Sequence, residues 1–343
     1  MTLAGRQQRI LRAVVDEYVE TAEPVGSEWL AGRYDFGCRS ATLRSEMAGM
    51  SEMGYLVQPH TSAGRIPSDL GYRYYVDRLM PSDQPVEGQE PLSSSRGTGI
   101  AVDELVQHAC RLLAAWTSYP SVASAPDIQR DALRQVYLTI ASPRRVLLVM
   151  LFSTGHVEHR LLSVASGHGE RSLQRVSNLL NKRLAGRTLA EVGASTLGEL
   201  PPELSGDADL LGRVHRSILQ ASASLAESRV FLEGTSQILR QPEFQNVLAL
   251  EQVLAALEAR SILYQVFSQA VLGQSVTVVI GQESPIELMR QCSVITSPYR
   301  IGAQTTGFIG VLGPTRMRYD RAVAAVGLMA RDLSTLLTQA RLA

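Results

Sequence analysis

A predicted helix from about Ser40 to Met53 combines one arginine with small side chains. Leu43, Met47 and Met50 recur at helical spacing, which predicts an apolar inner face. With a step of about 100° per residue, the opposite face carries Ala41, Arg44, Ser45 and Ala48. A guanidinium can donate two hydrogen bonds to guanine, and small neighbours allow a close approach to base edges. The pattern therefore favours base recognition in the major groove of DNA.

Polar residues also mark the amino-terminal end of this helix. Arg39, Ser40 and Thr42 are placed to contact phosphate there, because free backbone N–H groups and the helix dipole attract anions. Ser27 is placed to cap a shorter preceding helix that we expect to run through Tyr34. We predict that these residues belong to the same DNA-facing surface.

A predicted turn between two short strands adds further groups suited to phosphate. Hydroxyls, an arginine and a glycine that permits close backbone approach occur together there, in the set His60, Thr61, Ser62, Gly64 and Arg65. Arg73, on the next predicted helix, is placed to add a contact to the DNA backbone.

The order of elements around these residues is informative. An apolar stripe predicts a first helix, which Pro24 and Gly26 end. The hairpin follows the third helix, and a tyrosine-rich helix over Asp69–Leu79 closes the unit. Helix, helix, turn, helix and β wing is the order of a winged helix-turn-helix domain. We therefore predict such a domain over residues 1–80.

The charge of this unit weighs against DNA binding. Residues 1–80 contain nine arginines and ten acidic residues, a net charge of −1, whereas DNA-binding modules usually carry a basic patch. Five of the acids lie within residues 16–28, away from the third helix and the turn. A winged domain used for protein contacts is the alternative interpretation.

The rest of the chain indicates a mixed α+β architecture. Residues 81–99 are proline, glycine or serine at 10 of 19 positions, which predicts an exposed linker. Beyond it we predict helices over Val102–Trp116 and Asp127–Ile140, a hairpin over Arg145–Val164, helices within Glu170–Val271, strands within Val276–Leu312 and a final helix over Tyr319–Leu337. A hairpin, a helical block and a return to strands predict one α+β domain with a helical insertion.

Motifs for catalysis or metal binding are weak. His156 and His159 form an H-x-x-H on a predicted strand, where residues three apart point to opposite faces. The sequence contains no GxSxG or SxxK nucleophile motif. We expect Arg316, in a tight turn, to pair with an acid or to bind between domains. We therefore expect no enzyme activity, no metal site and no cofactor.

The cysteine content, the apolar runs and the charge totals indicate the cellular compartment of the protein. The scattered cysteines Cys38, Cys110 and Cys292 indicate reduced thiols in a cytosolic protein. The longest purely apolar run, Val146–Phe152, is far shorter than the roughly 20 residues of a membrane-spanning helix. Equal totals of 33 basic and 33 acidic residues exclude a simple polycation. We predict a cytoplasmic protein without a membrane partner.

Several motifs occur in the order seen in the HrcA family of heat-inducible transcription repressors. The most specific is QPHTSAGRIP, at residues 58–67. The others are EPVGS at 23–27, ATLR at 41–44, GYL at 54–56, GYR at 71–73, EGTS at 233–236, PEF at 242–244, CSV at 292–294 and GPTRM at 313–317. The chain therefore resembles this family over nearly its whole length.

The resemblance implies a homodimeric repressor of chaperone operons of the groE and dnaK type. Such a repressor binds an inverted-repeat operator called CIRCE in double-stranded DNA, and a GroEL-type chaperonin keeps it active. The implied architecture is a winged-helix domain over 1–80, a linker over 81–99, a GAF-like domain over 100–167 and 272–343, and an inserted dimerisation domain over 168–271. A one-component regulator with a small metabolite in the GAF-like domain is the alternative.

Four residues depart from the family pattern. Arg39 stands where serine is frequent, and Ser45 stands where asparagine is common. Glu28 and Trp29 occupy positions where lysine and a small polar residue are usual. These departures bear on the operator sequence and the affinity for it.

Overall fold

The structure is a computed structural model of the 343-residue chain. It describes residues 3–61, 63–81, 92, 102–126, 132–153, 157–164, 168–188, 191–192, 206–228, 230–270, 275–302 and 304–342. Ser62, His156 and all of the predicted linker except Pro81 and Leu92 lie outside these residues. Leu92 is buried, with 1% of its surface exposed. At this residue the prediction of an exposed linker is wrong, because burying a leucine side chain in the core is favourable.

Residues 3–81, called here the N-terminal unit, contain the predicted order of helices and hairpin. The elements are α1 (Gly5–Thr21), α2 (Ser27–Arg33), α3 (Ser40–Glu52), the antiparallel strands β1 (Leu56–Val57) and β2 (Ile66–Pro67), and α4 (Asp69–Tyr74), which continues as a π-helical turn over Tyr75–Leu79. Leu43, Met47 and Met50 are buried, so the predicted inner face of α3 is confirmed.

The expected capping role of Ser27 is wrong. The cap residue of α2 is Gly26, and Ser27 is the first residue inside the helix. The preceding Val25 exchanges two backbone hydrogen bonds with Arg65, of 2.8 and 2.9 Å. This pairing keeps the chain extended through Gly26, so α2 begins with Ser27. Arg39 is likewise the cap residue of α3, and Ser40 begins that helix.

A five-stranded antiparallel sheet organises much of the carboxy-terminal part. In spatial order its strands are β7 (Val230–Glu233), β3 (Ser121–Ser124), β10 (Gln304–Pro314), β9 (Cys292–Ile301) and β8 (Thr277–Ile280). One face packs against α5 (Val102–Thr117) and α10 (Tyr319–Leu342), and the other against α8 (Val247–Glu258) and α9 (Arg260–Ala270). We call this assembly the sheet unit.

A smaller sheet and two helices have a separate core. The elements are β4 (Leu133–Ser142), β5 (Arg145–Phe152), β6 (Val157–Ser163), α6 (Glu170–Leu184) and α7 (Ala208–Ser228). The sheet buries one face against the helices, where Val136, Leu148 and Leu162 pack with Leu180 and Val214. Residues 132–228 are called the inserted unit below.

The helix predicted over Asp127–Ile140 is wrong wherever the structure describes that segment. Residues 133–142 form β4, which pairs along its length with β5. Asn181 of α6 accepts from the Val136 N–H at 2.6 Å and donates to the Val136 carbonyl at 2.9 Å. Contacts with residues distant in sequence thus outweigh the local helical spacing of the apolar residues.

The grouping of elements differs from the predicted domain boundaries. The hairpin strands of residues 145–163 share their core with α6 and α7 rather than with the sheet unit. Residues 230–270, predicted to belong to the insertion, supply β7 and two helices that pack on the five-stranded sheet. The reason is that β7 pairs with β3, which joins its segment to the sheet unit.

The N-terminal unit packs directly on the sheet unit. Its buried residues continue into one core with those of α5, β9 and α10. The rings of Tyr72 and Tyr319 lie 5.6 Å apart within this core. The Asp69 carboxylate accepts a hydrogen bond from the Gln282 N–H at 2.9 Å. The two units therefore share both apolar and polar contacts.

Candidate nucleic-acid interface

The outer face of α3 is exposed at three of its four predicted residues, and the fourth, Ala48, is half-buried. Ala41, Thr42, Arg44 and Ser45 are all exposed, while Ser40 is half-buried at the start of the helix. Since the inner face is buried in the N-terminal unit, these side chains project from a fixed support. The arrangement meets the steric requirement for a helix that enters a major groove.

A groove of about 380 Å³ runs between α3, the start of α2 and the hairpin. Arg44 lines it from α3, Ser27 and Glu28 line it from α2, and Thr61 and Arg65 line it from the hairpin. Gly64 lines it as well, so the structure brings together five of the predicted site residues. Glu28 was noted in the sequence only as a departure from the family pattern.

Close backbone packing fixes the hairpin beside α2. A Cβ atom on Gly64 would lie 2.4 Å from the carbonyl group of Val25, so only glycine allows this approach. The Gln58 side chain donates to the carbonyls of Thr61 and Ala63, at 2.9 and 3.1 Å. Gln58 thereby shapes the turn, a role that its residue type and spacing did not signal.

The amino-terminal end of α3 and the hairpin tip carry the other predicted residues. Arg39 is exposed, and as the cap residue it makes no side-chain hydrogen bond to the helix. The first N–H groups of an uncapped helix are suited to bind an anion. His60 and Thr61 are exposed at the turn. None of these residues is part of the buried core.

Two ion pairs within the N-terminal unit neutralise acidic side chains away from the groove. Arg6 contacts Glu46 at 2.6 Å and Arg33 contacts Glu17 at 2.8 Å. Hydrogen bonding to Arg6 is the main reason why the pKa of Glu46 is lowered. These pairs do not line the groove. These two acidic side chains are held by arginines away from the groove, whereas Glu28 lines it. The net charge of the unit is therefore a poor guide to the potential at the groove.

Two arginines of the candidate interface have no carboxylate partner among the described residues. Arg39 is exposed, and Arg65 is half-buried beside Gly64. The Nε atom of Arg65 is buried and makes no hydrogen bond within the described part of the chain. A buried donor without an acceptor is costly. Guanidinium groups without a carboxylate partner are suited to bind phosphate.

The predicted phosphate contact of Arg73 is not supported, because the sheet unit engages this side chain. Its guanidinium donates to both carboxylate oxygens of Glu283, at 2.7 and 2.5 Å, and to the carbonyl of Val278 at 2.6 Å. Hydrogen bonding to Glu283 raises the pKa of Arg73. Asp77 adds a further contact at 3.2 Å. Arg73 thus joins the two units and lies outside the candidate interface.

Arg316 pairs with an acid of the sheet unit and also binds the N-terminal unit, so both predicted roles are confirmed. Its guanidinium forms an ion pair with Glu243 and donates to the Val19 carbonyl of α1 at 2.5 Å. Only 10% of the Arg316 side chain is exposed. The GPTR motif therefore joins α1 to the sheet unit.

The two buried cysteines that the structure describes are not activated for chemistry. Burial raises the pKa of the Cys110 thiol and that of Cys292 to about 12, which keeps both protonated at neutral pH. His159 lies on β6, and its predicted companion His156 is outside the described residues. Within the described ranges, no three histidine, cysteine or acidic residues form a group that could hold a metal ion. No helix described here is both long and apolar enough to cross a membrane.

Comparisons with known proteins agree with the motifs. Residues 103–323 match the model of the HrcA protein C-terminal domain. A protein of Moorella thermoacetica named "Heat-inducible transcription repressor HrcA" is 40% identical over 99% of both chains. One of the same name from Desulforamulus reducens is 37% identical over 98% of both chains.

A solved structure has a similar fold. It is described as the crystal structure of a hypothetical protein at 2.2 Å resolution. The TM-score is 0.65 with 23% sequence identity, and the similarity covers 99% of this chain and 100% of that one. At this identity the likeness concerns the fold alone.

Proposed function

The chain belongs to the HrcA family of heat-inducible transcription repressors. We propose that it represses chaperone operons by binding the CIRCE inverted repeat. The names of its relatives imply a regulator rather than an enzyme. The observation that carries the proposal is the groove that joins Arg44, Thr61 and Arg65 beside the exposed face of α3.

We propose that the N-terminal unit is a winged helix-turn-helix domain. In this proposal α3 enters the major groove, and the β1–β2 hairpin is the wing that follows the DNA backbone. Arg44 contacts a guanine edge, with Ala41 and Ser45 beside it. The phosphate contacts come from Arg39, Ser40, Thr42, Ser27 and the hairpin residues His60, Thr61, Ser62, Gly64 and Arg65.

We propose that the inserted unit forms the dimer that an inverted repeat requires. One face of its sheet is buried, and the other presents apolar side chains. Tyr137, Val157 and Leu161 on that outer face are each about half exposed, at 49, 51 and 50%. Exposed apolar patches commonly mark protein contacts, and a second copy of this face is the partner that a two-fold repressor supplies.

The sheet unit is the proposed GAF-like domain, with boundaries that follow the observed packing. It holds the N-terminal unit through Arg73 and Arg316, so it can transmit the geometry of the dimer to the two copies of α3. The chaperonin partner follows from the family resemblance. A GroEL-type chaperonin that refolds an inactive repressor would couple repression to the supply of free chaperonin.

A gel-shift experiment tests the proposal. The full chain is titrated onto a duplex from the promoter of the chaperonin operon of its own host, and onto a scrambled duplex of equal length. We expect a dimer-sized complex on the promoter at concentrations at least about 1,000-fold below those needed for the scrambled duplex. Added chaperonin should increase the active fraction. Equal binding to both duplexes would contradict the proposal.

A further inference from the structure

Glu28 and Arg44 face each other at the groove. The Nη2 atom of Arg44 lies 3.4 Å from Oε1 of Glu28, and the two side chains are 72 and 82% exposed. An ion pair with this length and exposure is weak and readily exchanged. Arg44 therefore has a partner in the free protein that a DNA ligand can replace.

Two DNA groups compete for the guanidinium with different strength. A phosphate offers a contact that is the same at every sequence. A guanine edge offers two acceptors, N7 and O6, in a geometry that matches the guanidinium. The Glu28 carboxylate competes directly with a phosphate, which it also repels, because both are anions. It competes less well with a matched pair of acceptors on a neutral base.

We propose that Glu28 is a specificity-determining residue, because it holds Arg44 in an ion pair that a guanine edge displaces more readily than a lone phosphate does. This inference rests on the proposed function, in which the groove binds DNA. If Glu28 has this role, Arg44 contributes little to the affinity for random DNA sequences.

The other ion pairs of the N-terminal unit agree with this role. Arg6, Arg12 and Arg33 contact carboxylates within the unit. Arg39 and Arg65 remain without a carboxylate in the described part of the chain, so no ion pair there competes with a phosphate for them. Arg44 differs from both groups, since it combines a position on the outer face of α3 with an exposed, weak partner.

The experiment measures fluorescence anisotropy of the full chain on the operator and scrambled duplexes across a salt series. The variants are Glu28→Gln, Arg44→Ala and the double variant. Glu52→Gln is the control, since Glu52 is exposed at the end of α3 and has no ion pair among the described residues.

Glu28→Gln should raise affinity for scrambled DNA about eightfold at roughly 0.1 M salt, because one added phosphate contact steepens the salt slope by about 0.9. Affinity for the operator should rise only about two- to threefold, since the variant removes a weak pair there. The gain on scrambled DNA should disappear when Arg44 is alanine. Glu52→Gln should change the ratio between the duplexes by less than about twofold.

Three results would overturn the role of Glu28. These are equal gains on both duplexes, a gain that persists without Arg44, and a loss of operator affinity, which would mean that Glu28 itself contacts DNA. A wild-type chain that prefers neither duplex would instead contradict the proposed function. The two failures are thus distinguished by the wild-type titration.

Discussion

The N-terminal unit and the inserted unit differ in what they leave exposed. The N-terminal unit shares its core with the sheet unit and leaves a polar groove at its surface. The inserted unit closes a core of its own and leaves an apolar sheet face at its surface. A polar groove with an arginine suits nucleic acid, whereas an apolar face suits another protein surface.

The comparison also separates two kinds of attachment. The N-terminal unit is held by a bidentate ion pair, a buried arginine and packed tyrosines. β4 is instead held to α6 by the Asn181 hydrogen bonds and by a local apolar core. The first arrangement fixes an orientation relative to the sheet unit. The second lies within the inserted unit and holds its own elements together.

The largest effect should come from the apolar face. Val157→Asp places a charge on a half-exposed residue of the outer face, so the monomer should still fold. Sedimentation should show a monomer, and operator affinity should fall roughly 100-fold or more as the benefit of two linked half-site contacts is lost. Arg171→Asp, at an exposed position of α6, is the control. A dimeric Val157→Asp variant would contradict the proposal that the inserted unit forms the dimer while the N-terminal unit binds DNA.

The next effect should come from the groove. Arg44→Ala should cost about 1–3 kcal/mol on the operator, the range for a bidentate contact between arginine and guanine. Binding to scrambled DNA should change little, as measured by anisotropy under the same salt conditions. An equal loss on both duplexes would make Arg44 a phosphate contact.

The contact between the N-terminal unit and the sheet unit should contribute to the free energy of unfolding of the protein. Arg73→Ala removes the two hydrogen bonds to Glu283 and should lower the free energy of unfolding by about 2 kcal/mol. Thermal unfolding measures this, and the salt slope of DNA binding should remain unchanged. Arg78→Ala is the matched control, because Arg78 is exposed and has no ion pair within the described residues. A reduced salt slope for Arg73→Ala would restore it as a phosphate contact.

The smallest effect should come from the hairpin. Arg65→Ala should weaken binding to operator and scrambled DNA alike and reduce the salt slope by about one unit. The same salt series on both duplexes provides the measurement. A loss confined to the operator would place Arg65 among the residues that determine specificity.

Local patterns predicted the N-terminal unit well. Leu43, Met47 and Met50 define a helix by their own spacing, and Gly54, at φ 84°, follows its end as expected of a helix stop. The hairpin motif also predicted the turn. These features depend on residues close together in sequence, so a single sequence contains the information.

Contacts between distant residues were not predictable in the same way. Residues 133–142 have helical spacing but form a strand beside β5. The sequence predicts a phosphate contact for Arg73, whereas in the structure its guanidinium binds Glu283, 210 residues away. The Glu28–Arg44 ion pair forms only because α2 and α3 meet at a particular angle. The place of β7 in the sheet depends in the same way on its pairing with β3. Each depends on the folded arrangement rather than on a local period.

Heating tests the central claim, that repression requires the exposed groove and the apolar face together. On samples heated in steps, operator affinity, dimer fraction by sedimentation and tertiary structure by near-UV circular dichroism are measured side by side. We predict that all three decline over the same temperature range and that added chaperonin restores operator binding. A chain that stays dimeric and folded when heated, and releases the operator only when a small metabolite is added, would contradict the account.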